Sequence, residues 1–207
     1  MKYVSRLLKW SALCLIFGVI GIVLARIAIA NYYPGGMTSY YVSEAHRDLY
    51  QTGARPMVYR QDLRFSYDDN DFAKFMAGSQ YYCPSLGELQ ITVRYNDATL
   101  REVQADYALS EVPEATADLF DYSLMDDNGN RSPLMYKDTD RKFMYNYLKL
   151  CFSGVTFDEE TNWIRLEIYY KDDIDYTEEP YACILVWEKG LVPSDGEYRP
   201  TEQEVGA

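Results

Sequence analysis

One apolar stretch governs everything downstream of it. Residues 10–30, WSALCLIFGVIGIVLARIAIA, open with sixteen residues that carry no charge. Arg26 interrupts the run, and residues 27–30 continue it. A helix of about twenty apolar residues crosses a hydrocarbon core of roughly 30 Å. An Arg near a helix end extends its guanidinium to the head groups, so it costs less than the roughly 2.5–3.5 kcal/mol charged at a helix centre. Trp10 at one end and Tyr32 and Tyr33 at the other occupy interfacial positions. Lys2, Arg6 and Lys9 precede the span, and the next cation after Arg26 is Arg47. This asymmetry predicts a cytoplasmic N-terminus, with residue 31 onward outside the cell membrane.

A cleaved signal peptide is the competing reading. Lys2, Arg6 and Lys9 form its basic region, residues 10–25 its apolar region, and Ala28-Ile29-Ala30 fits the cleavage pattern. The length of the apolar run and Arg26 within the cleavage region favour a retained signal anchor. Cys14 is no lipoprotein acceptor, because Leu13 stands where a small residue is needed. Gly18 and Gly21 are three apart, not the four of a small-xxx-small helix-pairing motif.

The remaining 177 residues suffice for one domain with a real core. The expected organisation is a basic N-terminus over 1–9, the anchor over 10–30, and a Pro/Gly tether, NYYPGGM, over 31–37. An extracytoplasmic domain over 38–190 and a flexible tail over 191–207 follow. The first thirty residues hold four of the twenty basic residues and none of the thirty-two acids, so the rest carries a net charge near −16. Such a surface excludes nucleic acid as a partner, which needs a basic face. Tyr is abundant, with twenty-one residues against a single His. Tyr suits half-buried strand surfaces and also enriches binding surfaces.

Period-two patterns dominate the chain. In ELQITVRYN (88–96), Leu89, Ile91, Val93 and Tyr95 alternate with polar residues. WIRLEIYY (163–170) sets Ile164, Leu166, Ile168 and Tyr170 inward, a register that a one-residue slip would invert. LFDYSLM (119–125) ends in DDNGN, a turn sequence. MYNYLKLCFSGVTF (144–157) alternates with Asn146 as the exception, and Gly154 marks a bend. PYACILVWE (180–188) is apolar enough to be a central strand. Weaker strands are expected over 38–42 (TSYYV), over 56–67 with Leu63, Phe65 and Tyr67 inward, and over 100–109. A short helix over 68–78 is expected from Phe72, Phe75 and Met76, with Gly78 stopping it. Seven or eight strands with scarcely any helix predict a mainly β fold, an antiparallel β-sandwich behind one N-terminal transmembrane helix.

The series LQITVRYN, YSLMDDNGN, LCFSGVTF and IRLEIYY resembles the strands of immunoglobulin-like domains in uncharacterised, membrane-anchored proteins of Gram-positive bacteria, across about residues 86–187. That resemblance implies an immunoglobulin-like sandwich and an extracytoplasmic compartment. It implies no activity and no site residues. The cysteine–tryptophan–cysteine spacing of antibody domains is not matched.

No catalytic, cofactor or metal motif stands in the chain. His46, in EAHRD, would have to serve any Ser–His or Cys–His pair, and it lies outside the clear strand series. Asp126, Asn128 and Asn130 have the 1-3-5 spacing of a calcium loop, but Arg131 replaces the glycine at position six and Lys137 the glutamate at twelve. Asp172, Asp173, Asp175, Glu178 and Glu179 read as a solvated acidic loop. Asn130-Arg131-Ser132 matches a glycosylation sequon. Cys83, Cys151 and Cys183 allow one internal bridge at most; Cys151 with Cys183 is the candidate disulfide, and free buried thiols are the alternative. The expectation is a non-enzymatic surface domain that binds a protein or envelope component. An envelope hydrolase using acidic residues, anchored or secreted after cleavage at Ala30, is the alternative.

Overall fold

A computed structural model of the chain describes residues 2–62, 75–112, 119–157, 160–171, 179–189 and 197–198. The chain divides into two compact units, Met1–Tyr33 and Pro34–Ala207. The first is a single helix, α1 (Lys2–Ala30). Its segment Lys9–Ile29 is long and apolar enough to cross a membrane, and none of it is buried. A signal sequence meets the same criterion.

The second unit is mainly β. In chain order it contains α2 (Gly35–Thr38), α3 (Glu44–Gln51), β1 (Val58–Asp62), β2 (Phe75–Cys83), β3 (Glu88–Asn96), α4 (Asp97–Asp106), β4 (Phe120–Asp126), β5 (Arg131–Ser132), β6 (Leu134–Lys142), β7 (Tyr145–Phe152), β8 (Trp163–Tyr170), β9 (Ala182–Glu188) and β10 (Glu197–Tyr198). The strands form two antiparallel sheets, a wide one ordered β10-β1-β2-β3-β7-β6 and a narrow one ordered β5-β4-β8-β9.

Alternation fixes which side chains the sheets share. Leu89, Ile91 and Val93 on β3 stand opposite Phe152, Leu150 and Leu148 on β7. Phe120, Tyr122 and Leu124 on β4 stand opposite Tyr170, Ile168 and Leu166 on β8. All of these, with Ala182, Ile184 and Val186 of β9, belong to one apolar core. Burying each Leu or Ile side chain contributes roughly 1.5–3 kcal/mol.

Several expectations are corrected. Residues 100–109 are not a strand: α4 covers 97–106, and its start is set by Asn96, whose Oδ1 accepts from Ala98 N at 2.8 Å and Thr99 N at 3.0 Å. Leu100 and Val103, one turn apart, then reach the core together. The expected helix over 68–78 gives way, from Phe75 onward, to β2, where Phe75 and Ala77 alternate inward; residues 68–74, with Leu63, Phe65 and Tyr67, lie outside the described residues. TSYYV is no strand, because its partners are side chains rather than a backbone ladder. The tether read over 31–37 is divided, since Pro34 onward joins the β unit and Met37 is buried. β9 is an edge strand of the narrow sheet, not a central one. In the tail, Glu197 and Tyr198 pair with Tyr59 and Val58 of β1.

The candidate disulfide is also corrected. Neither Cys151 nor Cys183 is in a disulfide. Cys151 pairs with Gln90 and Cys183 with Glu167, so they occupy the outward faces of different sheets with the core between them. No disulfide spans that distance, because bridged Cα atoms lie within about 7 Å.

Candidate functional site

β9 lies over β2, so the inner face of β1 runs past the margin of the narrow sheet. An open-sided cavity of about 300 Å3 forms there. Its floor is two cross-strand pairs, Tyr59 with Tyr82 and Gln61 with Gln80. Leu89 closes the inner end, and Phe157 and Trp187 form the far wall. Tyr82 meets Phe157 edge-on at 4.4 Å, and Phe157 packs on Trp187 at 4.8 Å. Arg60 borders the groove, but its guanidinium lies 5.8 Å from the ring of Tyr81, which belongs to the opposite face. No carboxylate among the described residues lines the cavity.

Two β-bulges aim the residues that define this groove. On β2, Phe75 and Ala77 face the core, and strict alternation would turn Gln80 outward. The register shifts between Ala77 and Gln80, so Gln80 stands opposite Ile91 on the inner face. On β9, Ala182, Ile184 and Val186 face the core, so Trp187 should point away. The shift opposite Ile164 and Arg165 turns it in beside Val186. Bulges re-aim side chains in this way beside functional sites. The wall is held by Gly87, at φ +61°, whose carbonyl accepts from Val155 N at 2.9 Å; a Cβ there would sit 3.3 Å from Val155 O.

The polar content of the groove is a pair of amides. Gln80, 5 % exposed, donates Nε2 to Gln61 Oε1 at 2.7 Å. Its own Oε1 is buried with no hydrogen-bond partner among the described residues. Burial raises the Tyr82 hydroxyl above the usual phenol range, so it is neutral at physiological pH.

The outer face of the wide sheet is closed by a strap, residues 34–52, which carries α2 and α3. Successive outward residues of β3 engage it. Glu88 Oε1 accepts from Ser43 Oγ at 2.6 Å. Gln90 accepts from Tyr41 N at 2.8 Å and donates to Tyr41 O at 2.7 Å. Thr92 Oγ1 donates to Met37 O at 2.6 Å. Lys149 Nζ donates to Gly36 O, and Tyr81 OH donates to Thr38 O at 2.7 Å. Tyr40, Val42, Val58, Tyr81 and Cys83 form a small apolar cluster beneath.

His46 is fully buried in this layer. Its Nδ1 lies 3.0 Å from Tyr40 OH, and Nε2 has no partner among the described residues. Ser43 caps α3 by accepting from His46 N at 3.1 Å. Burial lowers the His46 pKa and raises those of Glu88 and Cys83. It pushes Cys151 up to about 12. A nucleophilic thiol needs the opposite shift and access to substrate. Cys83, Cys151 and His46 are all buried.

The other sequence candidates are not brought together. Asp126 turns its carboxylate onto its own turn, accepting from Asn128 N at 2.9 Å and Asn130 N at 2.8 Å. Residues 172–178 of the acidic loop lie outside the described residues. The buried carboxylates among the described residues are Glu88 and Glu167, on the outward faces of different sheets. Arg131 and Arg165 each reach Glu167 at 2.7 Å, and Tyr169 OH donates to it at 2.8 Å. No group of three His, Cys, Asp or Glu side chains is placed to hold a metal among the described residues. The groove itself escaped the sequence reading; Gly78 inside a strand was the one local signal for its bulge.

No protein-family model matches the chain, and no curated protein or solved structure matches it.

Proposed function

We propose that this chain is a single-pass membrane protein whose N-terminal helix anchors an extracytoplasmic, immunoglobulin-like β-sandwich, and that this domain binds rather than catalyses. The observation that carries the reading is the aromatic groove: concave, mostly apolar, free of carboxylates among the described residues, and bordered by two side chains that bulges turn into it. Ligand sites have this make-up, an apolar lining with a few placed polar groups. Paired acid catalysis needs two carboxyl groups roughly 5–9.5 Å apart, and the two buried carboxylates among the described residues are divided between two sheets.

A photo-crosslinking residue at Tyr59 tests the binding role in the native host, with the same residue at Asp121 as control. One discrete adduct from position 59 and none from 121 is expected; equal labelling at both would sink the reading. Intact mass from the same host tests the anchor. A chain starting at Met1 is expected, and one starting at Asn31 would make the domain a secreted one.

A further inference from the structure

The groove offers a ligand flat rings and a few neutral hydrogen-bonding groups. Tyr59, Tyr82 and Trp187 supply the rings, with Gln61 and Gln80 between them. Gln80 Oε1 is a buried acceptor that lacks a donor among the described residues, and a buried acceptor without a donor is destabilising until one reaches it. Among the described residues the one charged group bordering the space is Arg60, and its guanidinium lies 5.8 Å from the ring of Tyr81 on the opposite face.

We propose that the groove binds a neutral saccharide of one or two rings. This rests on the binding role proposed above and names its ligand class. A pyranose has an apolar C–H face that lies against the electron-rich face of an aromatic ring, and hydroxyl or acetamido groups around its rim. Rings flanked by side-chain amides match both parts. The volume stands at the lower end of the roughly 300–1,000 Å3 of ligand sites, which suits a short saccharide. An extended peptide is read instead through backbone bonds to a sheet edge. On β1 that edge is occupied beside the groove, where β10 pairs with Val58 and Tyr59. Among the described residues the lining has one charged side chain, Arg60, whose guanidinium lies by Tyr81 of the opposite face, so the groove favours an uncharged ligand.

The test uses the full-length protein in lipid nanodiscs, titrated with cellobiose and N,N′-diacetylchitobiose, and with the uncharged peptide acetyl-trialanine amide. Saturation-transfer NMR gives the contact and the affinity. At least one disaccharide should bind. Gln80→Leu, which keeps the side-chain volume and removes both the acceptor and the bond to Gln61, should weaken it tenfold or more while the protein still unfolds cooperatively. Tyr59→Leu, at the rim, should weaken it several-fold. Disaccharide binding that both variants leave unchanged would overturn the assignment to this groove. Peptide binding with no disaccharide binding would overturn the ligand class and leave the binding role standing. Silence from all three probes, together with no adduct from position 59, would sink both.

Discussion

The two faces of β3 bury their side chains with opposite chemistry. Inward, Leu89, Ile91 and Val93 vanish into a core shared by two sheets. Outward, Glu88, Gln90 and Thr92 are buried as deeply, yet each is held by a hydrogen bond to the strap. Apolar burial is non-directional and tolerates repacking. A buried amide or carboxylate is tolerable only where a partner meets it, so it specifies one position of the covering chain. The inner face supplies most of the stability, and the outer face fixes where residues 34–52 lie.

The largest effect should come from the inner face. Leu166→Ala on β8 removes a fully buried side chain and should cost about 2–5 kcal/mol in urea unfolding. Gln90→Leu should cost less, about 1–3 kcal/mol, because it strips both partners from the Tyr41 backbone. Its signature is local: amide exchange should quicken at Tyr41 and its strap neighbours while β8 stays protected. If β8 loses protection equally, the two covers are not separable.

Acid should sharpen the contrast, because the strap and the outer face beneath it carry His46 and Glu88, side chains of a kind the inner core lacks. His46 has a lowered pKa, so the unfolded chain takes up its proton first. Its contribution is intact above the ordinary value of about 6.5 and is lost as pH falls below that. Glu88 has a raised pKa and runs the other way, its cost appearing as pH rises above the ordinary carboxylate value. Between about pH 7.5 and 5.5, His46→Gln should flatten the loss of stability, whereas Glu88→Gln should not, because it removes a group that opposes that loss. Urea midpoints at the two pH values decide this, and identical slopes in both variants would show that neither group titrates through the strap. The smallest effect expected is Asn96→Ala, about 1 kcal/mol from the α4 cap.

The legible parts of this fold were those where one physical rule acts alone. β3 and β8 alternate cleanly, and their inward residues follow from the pattern. α4 was missed because Leu100 and Val103 give too little helical period, and the decision rests on the Asn96 cap. β6, LMYKDTDRK, has no apolar alternation to betray it and is held by its ladder with β7. The groove was hidden for a sharper reason: bulges invert the parity on which alternation arguments depend, at Gln80 and again at Trp187. The strap was hidden because a polar residue facing water and one facing a neighbour's backbone read alike. Glu88, Gln90 and Thr92 looked like a solvent face and are not one.

The strap is made first and must dock late. Its partners follow it by 45 residues at Glu88, 49 at Gln90 and 113 at Lys149. Until β3 and β7 exist, residues 34–52 have nothing to grip, and closing such long loops is slow. In that interval the bare outer face of the nascent sheet shows carboxylate, amide and hydroxyl groups to water. An oily cover would have left a sticky sheet waiting for its lid; a polar one leaves an intermediate that stays in solution until the strap arrives.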